Sequence, residues 1–302
     1  MPQTFGSYGH PTRGHGRRGF PSTAPGPQIS RVFERILVAI DGSPSSFAAA
    51  LFAASVASRR ATLHLLCVTD RRSPPLASPL AREPNLELRC ESTLASAQAA
   101  IGNRAAVAEL RIATGRALPA ILQMEDEIRA DLVCTGSGRA RMGIGSVSAA
   151  VAREARSAVA ILREGIVSVP RIRRIAVGVK RGPTALAAAH RAFDLALGTS
   201  ASIRLCAVAP EGLSAEEHEA AQKDAEALLA ELRTEAADRG LPPPEVEIRF
   251  GDPAQELLLA VEESRADLLL VGAGIRRPLR PLGRVAGRLA SSCPCPLIIC
   301  HA

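Results

Sequence analysis

The sequence predicts an α/β protein built from two tandem domains, each a five-stranded parallel sheet with helices on both faces. Three observations support this fold class. Apolar, strand-like runs alternate with helical segments from residue 31 onward, and the pattern recurs in the second half at a spacing of 136 to 139 residues. The length of 302 residues also suits about two domains of ordinary size.

The first half begins with a buried strand. The apolar run 35–40 ends at the turn sequence Asp-Gly-Ser-Pro of residues 41–44. A strand that is apolar on both faces belongs in a parallel sheet covered by helices. Pro44 suits the first turn of a helix, and the Ala-rich sequence after it predicts a helix to about Arg60. A second strand is predicted over 62–69.

The rest of the first half continues the alternation. We expect a helix over 87–102, a strand over 107–113, a helix over 117–129, a strand over 131–135, a helix from about 145 and a fifth strand over 158–162. Strands that alternate with helices imply right-handed crossovers and a doubly wound sheet.

The second half repeats the first. The pattern Glu-x-Arg-Ala-Asp-Leu-x-x-x-Gly-x-Gly of residues 127–138 recurs at 263–274. Shorter matches pair Arg35 with Arg174, Pro44 with Pro183, and Leu66-Cys67 with Leu205-Cys206. This repeat predicts a duplicated domain, with one copy over 31–165, the other over 170–302, and the join between them.

Residues 1–30 are predicted to be a disordered basic tail. They are rich in Gly, Pro, Ser and His, and Arg13, Arg17 and Arg18 have no acidic partner there. The tail contributes to the net charge of +7 but carries too few charges to predict nucleic-acid binding.

Composition excludes other classes of protein. Aromatic residues make up only 3% of the chain, so a stacking platform for single-stranded nucleic acid is unexpected. No apolar run reaches the ~18 to 20 residues of a membrane span. The N-terminus has no apolar signal-peptide segment, so a cytoplasmic location is expected.

The seven cysteines are expected to be small buried hydrophobes, because most lie in apolar runs. Cys293-Pro-Cys295 has one residue between its thiols, whereas zinc and thioredoxin-like motifs usually have two. No histidine spacing indicates a metal site either, so no metal is predicted.

A candidate ligand site lies at the carboxyl ends of the first half's strands, where open α/β sheets bind ligands. Asp41 follows the first strand, and Gly136 and Gly138 end the fourth. The helix that begins at residues 145–148 (Gly-Ser-Val-Ser) offers free N–H groups, a partial positive charge and two hydroxyls to a phosphate. A carboxylate for the nucleoside beside an anion site suits a nucleotide.

Each of these residues also has a purely structural interpretation. Ser146 could be a helix N-cap. Asp41 could cap the following helix or fix the turn before Pro44. Gly136 and Gly138 could serve close strand–helix packing alone.

The sequence resembles the universal stress protein family in its tandem form. The resemblance is carried by residues 38–43 (Val-Ala-Ile-Asp-Gly-Ser), 130–136, 145–148 and 159–162, and by 295–299 in the second copy. It implies the Rossmann-like fold of the adenine nucleotide alpha hydrolase-like class and, in members that bind ATP, a motif G-x2-G-x9-G-[ST]. The implied nucleotide-binding residues are Asp41, Gly42, Val68, Gly136, Gly138, Gly145, Ser146, Val147 and Ser148.

The first copy departs from that motif in two ways. Arg139 stands where the middle glycine is expected, and eight residues separate Gly136 from Gly145 where the family pattern has twelve. The loop over the phosphates is therefore four residues short.

The second copy departs further. Lys180 stands at the position of Asp41, and Arg284 stands at the position of Ser146. Both changes replace a ligand-binding group with a bulky cation, so this copy is expected to have lost nucleotide binding. In single-domain members two subunits pair through their fifth strands. A tandem chain can make this pairing internally, with 158–162 against 297–300, which covers two sheet edges.

The resemblance implies a stress-response protein that binds an adenine nucleotide, ATP or AMP, in its first domain. The chain has no Walker A sequence and no evident base for an attacking water, so we expect it not to be an enzyme. Mg²⁺ is a possible companion of the nucleotide that no motif supports, and a homodimer is a possible assembly. The alternative is an interaction module that binds no nucleotide and acts through protein partners.

Overall fold

The computed structural model describes residues 33–69, 85–102, 107–138, 145–166, 171–274 and 282–302. The predicted basic tail of residues 1–30 and the shortened loop over 139–144 lie outside these ranges.

The described part of the first half contains five strands and four helices in alternation, as predicted. They are β1 Phe33–Ala39, α1 Pro44–Val56, β2 Ala57–Thr69, α2 Leu86–Ile101, β3 Val107–Thr114, α3 Ala117–Ile128, β4 Leu132–Ser137, α4 Ser146–Glu154 and β5 Ala158–Arg163.

The described part of the second half repeats this order. Its elements are β6 Arg174–Val179, α5 Pro183–Thr199, β7 Ser202–Ala209, α6 Ala215–Asp238, β8 Glu245–Phe250, α7 Pro253–Ser264, β9 Leu268–Gly272, α8 Arg284–Ser292 and β10 Leu297–Cys300.

The first helix ends earlier than predicted. Helix α1 begins with Pro44 after the N-cap Ser43, whose hydroxyl accepts a hydrogen bond from the Ser46 N–H at 3.2 Å. It ends at Val56 rather than near Arg60, because the chain from Ala57 is already extended alongside β1 and pairs with its first residue.

The ten strands form one continuous sheet in the order β3-β2-β1-β4-β5-β10-β9-β6-β7-β8. Strands are parallel within each half, and the two halves have the same strand order. The halves join where β5 and β10 pair antiparallel, with Leu297 opposite Ile161 and Ile299 opposite Val159. The predicted internal pairing of the fifth strands is therefore confirmed, and it merges the two predicted sheets into one.

Helices cover both faces of this sheet. Helices α1, α2, α5 and α6 pack on one face, and their core is continuous across the join through residues such as Ala160 and Ile298. Helices α3, α4, α7 and α8 pack on the other face. Because Ala, Val, Leu and Ile dominate both cores, burial of aliphatic surface stabilises the fold.

The repeated block around residues 127–138 fixes a helix end to a strand in each half. The carboxylate of Asp131 accepts hydrogen bonds from the N–H groups of Glu34 and Arg35, and burial raises its pKa. Asp267 does the same for the N–H groups of Arg173 and Arg174. This part of the repeat therefore serves the fold rather than a ligand.

One predicted correspondence between the halves is wrong by one residue. In β1, Ile36 pairs with Leu63 of β2, and its counterpart Ile175 pairs with Ile203 of β7. The spacing at these second strands is therefore 140 residues, so Leu66 corresponds to Cys206 and Cys67 to Ala207. The sequence comparison matched Leu66-Cys67 with Leu205-Cys206 because the residue types are identical, but the hydrogen-bond register of the strands decides which residues are equivalent.

All seven cysteines are buried, as expected, but two of them are not simple hydrophobes. Cys67 of β2 and Cys90 of α2 form a disulfide, which joins a strand to a helix that covers it. Burial raises the pKa of the Cys300 thiol to about 12 and raises the pKa of the Cys134 thiol too, so both stay protonated. No described helix is long and apolar enough to cross a membrane.

Candidate functional site

A pocket of about 120 Å³ opens at the carboxyl ends of β1, β2 and β4 in the first half. Five of the nine predicted site residues line it, namely Asp41, Val68, Gly136, Val147 and Ser148. The other four are not part of the lining but lie one or two residues from these in the chain, namely Gly42, Gly138, Gly145 and Ser146. Sequence reasoning missed further lining residues, among them Ala39, Ser46, Leu66, Ile121 and Thr135.

Asp41 fixes the turn after β1 and keeps one carboxylate oxygen available. Its Oδ1 accepts hydrogen bonds from the N–H of Ser43 at 2.9 Å and from the Ser43 hydroxyl. Among the described residues, no hydrogen bond reaches Oδ2. Gly42 between them has φ +83°, a conformation that favours glycine. The helix cap itself is Ser43, so Asp41 has the turn-fixing role and not the capping role.

Gly136 is required by packing. A Cβ there would lie 2.5 Å from the backbone nitrogen of Ser46 and 2.6 Å from the carbonyl carbon of Ser45, at the start of α1. Its counterpart Gly272 makes the same close approach to Thr184 and Ala185 in the second half. Gly136 therefore serves strand–helix packing, and it lines the pocket as well. A Cβ at Gly138, by contrast, would meet no described atom within 4 Å.

The N-terminus of α4 is partly satisfied by the protein itself. Gly145 is the N-cap and has no side chain to cap the helix, so Ser146 is the first helical residue and not the cap. The Gly145 N–H donates to the Ser137 hydroxyl at 3.0 Å, and the buried Ser148 hydroxyl donates to the Gly136 carbonyl at 2.8 Å. Ser146 is exposed, and the first-turn N–H groups have no capping side chain, an arrangement that favours an anion.

Apolar side chains crowd the corresponding strand end in the second half. Ala39 is replaced by Gly178, and a Cβ there would lie 2.9 Å from Leu257 and 3.2 Å from Val271. Leu257 and Val271, the counterparts of Ile121 and Thr135, are both buried. The two halves thus share a strand arrangement, but in the second half the side chains of Leu257 and Val271 leave no room for a Cβ at the position that Ala39 holds in the first.

The polar groups of the second half are also rearranged. Lys180 and Arg284 are exposed, and Arg181, the counterpart of Gly42, is bonded to Asp224 and Glu231 of α6. Within the described ranges, no three His, Cys, Asp or Glu side chains are grouped so that they could hold a metal ion.

Comparison with known proteins gives a consistent family. The model of the universal stress protein family matches residues 33–163 and again 171–301. No curated protein matches the chain. Among solved structures, it is similar to a universal stress protein from Archaeoglobus fulgidus at 19% identity and a TM-score of 0.71, which covers 88% of this chain and 98% of that one.

Two further solved structures are similar. A protein assigned to the universal stress proteins from Pseudomonas aeruginosa has 14% identity and a TM-score of 0.65, covering 91% of this chain and 95% of its own. A universal stress protein solved in complex with cAMP covers 43% of this chain and 97% of its own, at 24% identity and a TM-score of 0.35. The two similarities over most of the chain show a shared fold. Because the family model matches both halves over most of their length, the chain belongs to the universal stress protein family and carries two of its domains in tandem.

Proposed function

We propose that the protein is a stress-response protein that binds an adenine nucleotide, ATP or AMP, in its first domain without turning it over. The observation that carries the proposal is the difference between the halves. The first half has a pocket beside Asp41 and Ser146 at the uncapped start of α4, whereas the second half has Lys180 and Arg284 at these two positions and Leu257 and Val271 crowd the position of Ala39.

The residues of the pocket suit one end of a nucleotide. Leu66, Val68, Ile121 and Val147 give apolar walls of the kind that hold a base. A volume of about 120 Å³ is below the ~300–1,000 Å³ of pockets that enclose a whole drug-sized ligand. The base would therefore enter the pocket, and the phosphates would lie outside it.

Polar groups at the pocket's rim suit the rest of the ligand. The available Oδ2 of Asp41 is an acceptor for ribose hydroxyls. The first turn of α4 offers N–H groups and the Ser146 hydroxyl to a phosphate, and its partial positive charge adds attraction. The phosphate of a bound nucleotide would be held by these N–H groups and by the Ser146 hydroxyl.

The described residues of the lining place no group for general acid–base chemistry. Of the described residues that line the pocket, Asp41 alone carries an ionisable side chain, and its Oδ1 is held by Ser43. Hydrolysis needs a base positioned against water in addition to the groups that bind the nucleotide. The lining therefore supports binding without turnover.

Ligand should stabilise the fold by mass action. At 100 times its dissociation constant, a nucleotide that binds only the folded state adds about 2.7 kcal/mol to the free energy of unfolding. We expect ATP or AMP to raise the melting temperature of the full chain, Asp41→Ala to reduce this rise, and Ser146→Arg to abolish it. The last change reproduces the second domain's own residue and crowds the helix N-terminus. Differential scanning fluorimetry measures all three.

The matched control is Lys180→Ala, at the position of Asp41 in the second half, which should leave the rise unchanged. If Lys180→Ala removes the rise while Asp41→Ala does not, the site has been assigned to the wrong half. If millimolar ATP, AMP and cAMP all leave the wild-type melting temperature unmoved, the alternative of a nucleotide-free interaction module replaces this proposal.

A further inference from the structure

The sheet ends in two edge strands, β3 in the first half and β8 in the second. Among the described residues, no strand pairs with the outer side of either one. An edge strand presents unpaired N–H and C=O groups with which another strand can pair. The side chains along each edge decide whether such pairing is favourable and with which strand.

The β8 edge is occupied by its own charges. Arg249 is only 15% exposed and is bonded to Glu247 on the same strand and to Glu263 of α7. Arg204 of the neighbouring strand β7 adds further contacts to Glu245 and Glu247. The two arginines of this edge are therefore each shared among carboxylates of their own domain.

The β3 edge is different because its side chains are exposed and largely apolar. Val107, Leu110 and Ile112 are 48%, 41% and 37% exposed. Leu110 and Ile112 lie on one face of the strand, since side chains alternate, and Glu109 and Arg111 lie on the other. The Arg111 guanidinium donates to the Glu109 carboxylate at 2.7 Å, and the His64 ring of β2 lies 3.4 Å from the same carboxylate oxygen. Both Glu109 and Arg111 are still more than two-fifths exposed.

We propose that two copies of the chain associate by pairing their β3 strands antiparallel about Leu110. In this register Leu110 faces its own copy, and Ala108 faces Ile112 of the other chain. Glu109 faces Arg111 of the other chain, and the symmetry repeats that contact. In this register apolar residues face apolar residues and opposite charges face each other, so the strand is complementary to itself as a two-fold interface requires. Opposite charges directly across an antiparallel pair are stabilising, and like charges are destabilising.

The pairing leaves the join between the halves undisturbed. Strands β5 and β10 already cover each other within one chain, so they are not available to a second copy. Pairing through β3 would instead join two ten-stranded sheets end to end. The proposal is independent of nucleotide binding, because the pocket lies at the strand ends and not along this edge.

The test uses the full chain in analytical ultracentrifugation over a range of concentrations. We expect the mass to rise from the 31.6 kDa of one chain toward twice that value as concentration increases. Leu110→Lys should abolish the rise by placing two charges face to face at the symmetry axis. The matched control on the other edge, Val246→Lys, should leave the rise unchanged.

Charge reversal tests the register itself. Glu109→Arg and Arg111→Glu should each weaken self-association by about tenfold, because each strand then opposes like charges twice. An equal mixture of the two variants should associate again. In that mixed pair the introduced arginine of one chain faces the introduced glutamate of the other, and the remaining native Glu109 faces the remaining native Arg111. The double variant E109R/R111E should also self-associate. Circular dichroism checks that each variant is folded.

Three results would each overturn the proposal. The first is a monomer at every concentration, and the second is association that Leu110→Lys leaves intact. The third is a pair of single variants that weaken association but are not rescued by mixing, because loss of the contact between Glu109 and Arg111 within one chain would explain that result without any pairing between chains.

Discussion

Gly136→Val is expected to lower the free energy of unfolding by about 3 kcal/mol, because any side chain at this position collides with the backbone at the start of α1. The close atom is the Ser46 backbone nitrogen at 2.5 Å, which cannot move without disturbing the whole helix. Gly272→Val should cost about as much, since the Ala185 nitrogen lies 2.6 Å from the corresponding position. Urea unfolding followed by circular dichroism measures both losses.

The control is Gly138→Ala, two residues further along, where a Cβ meets no described atom within 4 Å. Its free energy of unfolding should stay within about 0.5 kcal/mol of the wild type. A Gly136→Val protein with unchanged stability and lost nucleotide binding would contradict this account, because it would make Gly136 a ligand-contacting residue and not a packing residue.

The architecture was predictable because the sequence contains the same pattern of strands and helices in both halves. Apolar runs bounded by turn residues marked each strand, and the repeat at 263–274 of the block at 127–138 supported the order without any structural information. The pairing of β5 with β10 was implied by the resemblance to the universal stress protein family, whose single-domain members pair through their fifth strands, and here it covers two edges within one chain.

What the sequence could not provide was register and long-range contact. Within the apolar run of β2 every one-residue alignment looks equally good, so Leu66 was matched to Leu205 although it corresponds to Cys206. The bond between Cys67 and Cys90 depends on how α2 lies against β2, across 23 residues of chain. Neither fact has a local sequence signal.

The candidate site was predictable in part: Asp41, Val68, Gly136, Val147 and Ser148 were predicted and line the pocket, whereas other lining residues were not. Asp41 and the start of α4 follow strand ends, so their place was evident from the fold class. Ala39, Ile121 and Thr135 come from three different elements and look like ordinary core residues. A signal did exist in the comparison of the halves, where Thr135 becomes Val271 and Ala39 becomes Gly178, but its meaning depends on knowing that these positions face one space.

Glu125 is a buried carboxylate of the first half that has no equivalent at the corresponding position of the second half. It is 5% exposed, and its Oε1 accepts hydrogen bonds from the N–H of Arg156 at 2.8 Å and of Ser157 at 2.7 Å, and from the Ser157 hydroxyl at 2.6 Å. These contacts tie α3 to the segment that leads into β5. In the second half the position of Glu125 is held by Val261, which cannot accept a hydrogen bond through its side chain.

The second half removes a donor along with the acceptor. Val133 pairs with Val159 in the first half, and its counterpart Leu269 pairs with Leu297 in the second, so Val159 corresponds to Leu297. Three residues before these positions, Arg156 corresponds to Pro294. Proline has no N–H, so in the second half no N–H at this position needs the acceptor that Glu125 provides in the first half. The replacement of Glu125 by Val261 and that of Arg156 by Pro294 therefore remove the acceptor and the donor of the same hydrogen bond.

Glu125→Val should accordingly destabilise the protein by about 2 kcal/mol, because it leaves two partly buried N–H groups and a hydroxyl without their acceptor. Adding Arg156→Pro removes one of those donors, and the residue before it, Ala155, has ψ 150°, which suits a position preceding proline. The double variant E125V/R156P should therefore be more stable than the sum of the single losses predicts, by about 1 kcal/mol in a double-mutant cycle measured by urea unfolding. Strict additivity would mean that the carboxylate does not act through the Arg156 N–H, and a Glu125→Val protein as stable as the wild type would mean that water replaces it.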